Sequence, residues 1–457
     1  MMNNDQEIPA NNYTKHLASE NNGGITKKSA EVVVIGGGFA GVNLVRSLAK
    51  SADFSITLVD RNNYVFFPPL IYQVATGFLE PPSISFPFRK LLRKYKNVRF
   101  WLGDFIAVRP EEKKVVLSTG ELHYDYLVFA TGTESNYFGM ENIRKNAIPM
   151  KTMEDALHMR NTILQRVERA SRTKNESERR KLLTIVIAGG GPTGVEIAGM
   201  LAEMKHNIFP KEYPELSHFL QTDNLYLVDG AASVLSPMSE KSRQYTYKSL
   251  TDIGVTVKLN IQVADFDGES VLFTDGTRIE THNLIWSAGI TGTVFSGIPE
   301  TSYGRGKRIL VDKYNLIKDF SNIYAIGDIS LNLEDSKFPN GHPQLAQVAL
   351  QQGKNLALNL KAGKVGKPSI PFAYKDKGSM AIIGRNKAVA DISSKVHFKG
   401  YIAWLLWVFV HLISLVNYRN KVRTLYNWCI AYFTKDHSLR LIIRPAKPKC
   451  IDDVSAS

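Results

Sequence analysis

Cysteine is almost missing from this chain: there are two in 457 residues, Cys429 and Cys450, both near the C-terminus. That excludes a disulfide scaffold, a cysteine-rich zinc site and any Cys-x-x-Cys redox pair. The opening stretch MMNNDQEIPANNYTKHLASENNGG has no apolar run and no basic start, so no secretory signal is expected. It also lacks the arginine-rich, acid-poor character of a mitochondrial transit peptide. Residues 1–28 are expected to form a flexible tail on a protein made and kept in a cytoplasm. Acidic residues are scarce beside basic ones, 43 against 57, for a net charge of +14 and a pI near 9.4. Such an excess suits an anionic partner: nucleic acid, a membrane surface or phosphate-bearing ligands. With 44% apolar and 22% charged residues, overall disorder is excluded, and the length suits two to four domains.

What is present is a module that occurs twice. EVVVIGGGFAG (Glu31 to Gly41) and LTIVIAGGGPTG (Leu183 to Gly194) are each a β-branched run leading into Gly-x-Gly-x-x-Gly, followed by a helical pattern. A lone motif of this kind is weak, but here its required context is met twice. Gly36, Gly38 and Gly41 are followed by a strand ending at Asp60, and Gly189, Gly191 and Gly194 by one ending at Asp229. In such a loop the first glycine permits the turn and the second lets the backbone approach a pyrophosphate. The third packs helix on strand, and the acid accepts from a ribose hydroxyl. Asp229 would repel a 2′-phosphate, so NADH is expected over NADPH. Two such sites imply two dinucleotides, most simply FAD and NADH.

Each module is followed by a hairpin that runs into an apolar strand: VVLSTGELHYDYLVFATG after the first, VLFTDGTRIETHNLIWSAG after the second. The charged stretch RVERASRTKNESERRK (Arg166 to Lys181) reads as a solvated helix end or loop linking the two. The expected fold class is α/β, with two Rossmann-type domains, one inserted in the other, and a C-terminal α-helical membrane-anchoring segment. The expected boundaries are a tail over 1–28, an FAD-binding domain over 29–150 and 301–375, an NADH-binding domain over 151–300, and an anchoring domain over 376–457.

Two further marks, ATG (Ala130 to Gly132) and YAIGD (Tyr324 to Asp328), resemble those of the two-dinucleotide-binding flavoproteins. The resemblance implies non-covalent FAD, with Asp328 on its ribityl or pyrophosphate and Thr131 and Gly132 closing over it. It also implies that Arg61 and Ala346 help hold FAD, and Thr193, Ala288 and Gly289 help hold NADH. Many relatives place a redox-active cysteine beside the flavin, but here no cysteine precedes residue 429, so electrons must leave the flavin directly for a diffusible acceptor.

Three stretches narrow the resemblance to one family. DRNNYVFFPPLIYQVATGFLEPPSISFPFRKLL, LAQVALQQG and GYIAWLLWVFVHLISLVNYRNKVRTLYNW resemble type II NADH dehydrogenase, the single-subunit, non-proton-pumping NADH:quinone oxidoreductase, over about Glu31 to Arg444. Pro68 and Val65 stand where this family often has Gln and His. Gln347 and Gln351, four apart, share one face of a predicted helix, with Pro343 expected at its first position. The resemblance implies that both glutamines meet the quinone head group, that Lys377 lines the same site, and that Glu196 sits near nicotinamide and flavin. The bland readings are an exposed polar face, a surface lysine and a helix-start acid. No DxDxDG calcium loop occurs, and no metal site is expected.

Near the C-terminus, Gly400 to Asn417 would form a helix about 27 Å long against roughly 30 Å of bilayer hydrocarbon. After it, Val422, Leu425, Tyr426, Cys429, Ile430 and Phe433 form an apolar helical stripe. From Phe398 onward nine Lys/Arg face only three Asp, and Trp404, Trp407 and Trp428 suit a headgroup boundary. A monotopic anchor lying on an anionic lipid surface is expected rather than a crossing helix. The full expectation is a respiratory-chain electron-transport enzyme on the cytoplasmic side of the cell inner membrane. It takes hydride from NADH to FAD and then reduces membrane quinone by two electrons, as a homodimer and without nucleic acid. The rival readings are an NADH oxidase or diaphorase with a soluble acceptor, and an NADH-sensing flavoprotein.

Overall fold

The computed structural model describes residues 29–222, 224–392, 396–434 and 439–443. The expected tail over 1–28, Cys450 and the basic residues Lys435, Arg444, Lys447 and Lys449 lie outside these.

Two parallel five-stranded sheets carry the two modules. In the first, Ala30–Ile35 lies centrally, flanked by Phe54–Asp60 and Tyr126–Phe129, with Val98–Leu102 and Ile323–Ala325 at the edges. In the second, Ile185–Ala188 lies between Leu225–Asp229 and Asn283–Trp286, with Thr256–Leu259 and Ile148–Pro149 outside. Strands buried on both faces need near-continuous apolar runs, which VVVI and IVIA supply. The late strand Ile323–Ala325 pairs in parallel with Tyr126–Phe129, so the chain returns to the first sheet after building the second. It crosses between them at Glu134–Ser135 and Ile290–Thr291, which pair with each other. Ile148–Pro149 already belongs to the second sheet.

Seven helices position the site. They are α1 (Phe39–Leu48), α2 (Ile71–Ala75), α3 (Met153–Arg172), α4 (Pro192–Asn207), α5 (Ala346–Lys364), α6 (Gly400–Ser414) and α7 (Tyr418–Thr434). A capping box opens α3: the Thr152 hydroxyl accepts from Asp155 N–H and the Asp155 carboxylate accepts from Thr152 N–H. Of the two expected readings of the charged stretch Arg166 to Lys181, the helix end holds and the linking loop does not. The stretch is the end of α3 and a second helix, Glu176–Leu183, lying on the second sheet. Arg166 donates to the buried Asn283 there at 2.8 Å, which draws it out of solvent.

The chain ends in an antiparallel sheet, Ser379–Gly384, Lys387–Asp391 and His397–Lys399, followed by α6 and α7. Among the described residues, no helix is long and apolar enough to cross a membrane.

Candidate functional site

The two glycine loops are near copies. Gly36 and Gly189 turn with φ of +102° and +111°, where a side chain is strained. A Cβ on Gly36 would fall 2.4 Å from Ala130 O, and one on Gly189 2.6 Å from Ser287 O. On the third glycines, Gly41 and Gly194, it would strike the carbonyl of the first, at 2.0 and 1.8 Å. A Cβ on the middle glycines, Gly38 and Gly191, would meet nothing within 4 Å. Close packing at the first and third positions with open space at the second is the cradle a pyrophosphate requires. Each cradle opens a helix, α1 or α4, whose N-terminal N–H groups favour an anion.

The acids at the strand ends are pinned in the same way. Asp60 accepts from Gly37 N–H at 2.6 Å and Asn62 N–H at 2.8 Å, and Asp229 accepts from Gly190 and Ala231 N–H. Each carboxylate therefore braces its own loop, and its remaining lone pairs are what a ribose hydroxyl could use. Arg61 is exposed and pairs with Asp104 at 3.5 Å. Thr193 stands in the first turn of α4, and Ala288 and Gly289 follow the strand that flanks the second loop.

Around the first loop the structure gathers Thr131, Gly132, Asp328 and the start of α5. Helix α5 crosses α1 closely enough that a Cβ on Gly353 would fall 2.5 Å from Ala40 O. From this crossing Gln352, fully buried, accepts from Gly327 N–H at 2.7 Å and donates to Ser330 Oγ at 3.1 Å, which fixes the turn carrying Asp328. Arg308 and Gln344 both donate to Asp328 O, at 3.1 Å each. Lys151 donates to Thr133 Oγ1 at 2.9 Å; burial lowers its pKa, and the Asp328 carboxylate works against that shift. Burial likewise raises the Asp328 carboxyl, with Lys151 and Arg308 opposing. Thr131 Oγ1 is buried without a partner. An orphaned hydroxyl, an open glycine cradle and a desolvated lysine beside an aspartate fit a polar dinucleotide cofactor. Gln352, Lys151 and Arg308 were not singled out from sequence. The doubled QQ, with its second member facing away from the first, was the available sign for Gln352.

Around the second loop, α4 packs on the strand Ser379–Gly384. A Cβ on Gly199 would fall 1.8 Å from Ile383 O, so only glycine allows this approach. Glu196 and Glu203, on either side of Gly199 along the same face, accept from the N–H groups of Ile382 and Arg385. Two carboxyls thus cap the free edge of the sheet, where unpaired N–H groups would otherwise remain. Burial pushes both carboxyls above the usual range, Glu196 strongly. Tyr72 of α2 is fully buried near Glu196, and its hydroxyl accepts from Gln73 Nε2 at 3.0 Å.

Gln347 and Gln351 do share a face, and both are engaged. Gln347 donates to Gly378 O at 2.8 Å and accepts from Lys377 N–H at 3.0 Å. Gln351 donates to Lys375 O at 2.9 Å and accepts from Lys375 N–H at 3.0 Å. The two carboxamides act like the backbone of a neighbouring strand and hold residues 375–378 against α5, with Lys377 exposed. Pro343 is not the first helical residue: Leu345 is the cap and Ala346 begins the helix. Before the helix starts, Leu345 N–H bonds to Pro343 O at 2.9 Å and Gln344 donates to Asp328 O.

Residues 30–353 match the family model described as pyridine nucleotide-disulphide oxidoreductase, and residues 377–436 match the NDH2 C-terminal domain. The type II NADH:quinone oxidoreductase Ndh of Mycobacterium tuberculosis is 36% identical over 418 residues, which cover 88% of each chain. The chain belongs to the type II NADH:quinone oxidoreductase family. Its reaction class is therefore oxidation of NADH with reduction of a quinone, using FAD. The external NADH-ubiquinone oxidoreductase 2, mitochondrial, of Saccharomyces cerevisiae is 28% identical, covering 89% of this chain and 81% of that one. Among solved structures, NDH2 from Plasmodium falciparum in complex with NADH superposes with a TM-score of 0.81 at 21% identity, over 91% of this chain and all of that one.

Proposed function

We propose that this family member holds FAD on the first loop and NADH on the second, and meets quinone beside α5 while lying on a membrane surface. The observation that carries the reading is the pair of loops open at their middle glycines in a chain with no cysteine before residue 429. When bound, FAD supplies the hydride acceptor for NADH and the two-electron donor for quinone. Gly38 and Gly191 let the two pyrophosphates approach, and Asp60 and Asp229 accept from ribose hydroxyls, Asp229 disfavouring NADPH. Lys151 and Asp328 set the local charge, and Gln352 holds Asp328 in place. Gln347 and Gln351 shape the quinone site by fixing residues 375–378, which present Lys377. Glu196, whose carboxyl burial pushes well up, is the group suited to hold a proton near the reacting groups.

Membrane attachment is supported by the inverted polarity of α7. Its inward residues are Asn420, Thr424, Trp428 and Ala431. Asn420 donates to Ser83 O at 2.9 Å and Ser85 O at 3.0 Å, and Trp428 to Gln73 Oε1 at 2.8 Å. Its apolar stripe faces outward, with Phe433 80% and Tyr426 64% exposed, and Phe409 and Ile402 of α6 are 62% and 63% exposed. A helix that satisfies its polar face inside and exposes its apolar face needs a lipid or protein cover. Anionic lipid on the cytoplasmic face of the inner membrane is the proposed cover, and a second copy of the chain is the rival. Replacing Leu425 and Phe433 with Asp should abolish flotation with vesicles. Unchanged flotation with a smaller particle size would assign the face to a dimer instead.

Stopped-flow absorbance tests the site. Gln351→Ala should slow reoxidation by quinone about tenfold and leave flavin bleaching by NADH intact. Equal slowing of both steps would remove Gln351 from the quinone site.

A further inference from the structure

Phe138 is an aromatic side chain on a left-handed backbone, φ +51°, and its residue is 60% exposed. Both features run against ordinary preference. Positive φ is uncommon outside glycine and asparagine, and such strain persists where the surroundings impose it, often at ligand clamps. The surroundings do impose it here. Asn136 Oδ1 accepts from Phe138 N–H at 2.9 Å, Asn136 N–H donates to Gly289 O at 3.0 Å, and Trp286 Nε1 donates to Asn136 O at 2.8 Å. The ring is set edge to face against Trp286, with centroids 6.5 Å apart, and a Cβ on Gly289 would fall 2.7 Å from Phe138 Cζ.

The position of Gly289 gives this ring its meaning. Residues 287–289 follow the strand Asn283–Trp286 and lie against the second glycine loop: Ser287 N–H and Oγ each donate to Ala188 O at 2.8 Å. The next two residues, Ile290–Thr291, pair with Glu134–Ser135 at the crossover between the sheets. A dinucleotide with its pyrophosphate at Gly191 and its reactive end at the first module must leave the second loop toward that crossover, past Gly289. In open α/β sheets, ligands lie beyond the carboxyl ends of the strands, which is where the ring stands.

We infer that Phe138 is a positioning residue for NADH, an aromatic wall just past the crossover between the sheets, against which the nicotinamide half of the dinucleotide rests. The inference depends on the second loop being the NADH site. Trp286 is bonded through its indole N–H and stacked on Tyr137, with centroids 6.1 Å apart, so its cover does not rest on Phe138, whose own residue stays 60% exposed.

The test uses the full-length flavin-loaded protein and reads flavin bleaching against NADH concentration in anaerobic stopped flow. Phe138→Gly suits φ +51°, so it removes the ring without straining the turn. The apparent Kd for NADH should rise about tenfold, the loss of about 1.4 kcal/mol. The limiting bleaching rate should stay within about twofold, the quinone KM should be unchanged, and Phe138→Tyr should restore binding. An unchanged Kd in Phe138→Gly overturns the inference, as does a Kd that rises equally in Phe138→Tyr. Gly191→Val separates the two layers. If it leaves NADH binding intact, the second loop is not the NADH site. If it abolishes binding while Phe138→Gly does nothing, only the role of Phe138 fails.

Discussion

The two dinucleotide modules share a loop geometry to within a few tenths of an ångström at the packed glycines, yet their helices are used differently. Helix α1 meets another helix, α5, through Gly353, and the contact carries Gln352 to the turn of Asp328. Helix α4 meets the edge of the C-terminal sheet through Gly199 and brings Glu196 and Glu203 to it. The loop thus sets what class of ligand binds, and the partner of the helix behind it sets what that module does. The first fixes the turn of Asp328, while the second ties its glycine loop to the part of the chain that carries α6 and α7.

The largest effects should come from the two glycines at these contacts. Gly353→Val and Gly199→Val each place a side chain inside a backbone carbonyl's radius and should cost about 3 kcal/mol or more. Their signatures should differ. Gly353→Val should lose flavin on gel filtration, and Gly199→Val should keep flavin but lose vesicle binding and quinone turnover. If both lose flavin alike, the division of labour fails.

Next in size is Gln352→Ala, which leaves Gly327 N–H and Ser330 Oγ buried without their partner. A cost of about 1–3 kcal/mol is expected, with a matching drop in flavin retention. The equivalent change in the second module should leave flavin in place.

A smaller effect should separate the modules by pH. Burial lifts Glu196 and Glu203 above their ordinary value of 4.5, so their contribution to stability is complete below that pH and declines as pH rises through the raised values. Glu196→Gln with Glu203→Gln should melt about 2–4 °C above wild type at pH 8 and level with it at pH 4. A gap that does not widen with pH would mean the carboxyls are not held neutral. The smallest effect on stability belongs to Arg61: its pair with Asp104 is exposed, and Arg61→Ala should change stability by about 0.5 kcal/mol or less.

Much of this plan could be read along the chain. Both loops, the hairpins after them, the strand ending in Ile-Gly-Asp and the glutamine face of α5 depend on neighbours within a turn or a strand, which local pattern reports. The reading failed where distant segments compete for a group. Pro343 has the look of a helix start, but Leu345 N–H bonds to Pro343 O and Gln344 reaches across to Asp328 O, so the helix begins only at Ala346. Arg166 looked solvated, but Asn283, over a hundred residues away, draws it in. The stripe on α7, expected on a lipid surface, does face outward, but what turns it there is again distant: Asn420 and Trp428 find buried acceptors on residues 73–85.

By itself the sequence determined the two glycine loops and the absence of any cysteine before residue 429, since glycine spacing and the lack of a residue type hold in any fold. Tertiary structure alone decided that Gln352 rather than Gln351 grips the turn of Asp328, that Glu196 is buried against a sheet edge, and that Phe138 stands beside Gly289. Each depends on which groups meet across more than twenty residues of chain, and burial, charge and hydrogen bonding are properties of that meeting rather than of the residues alone.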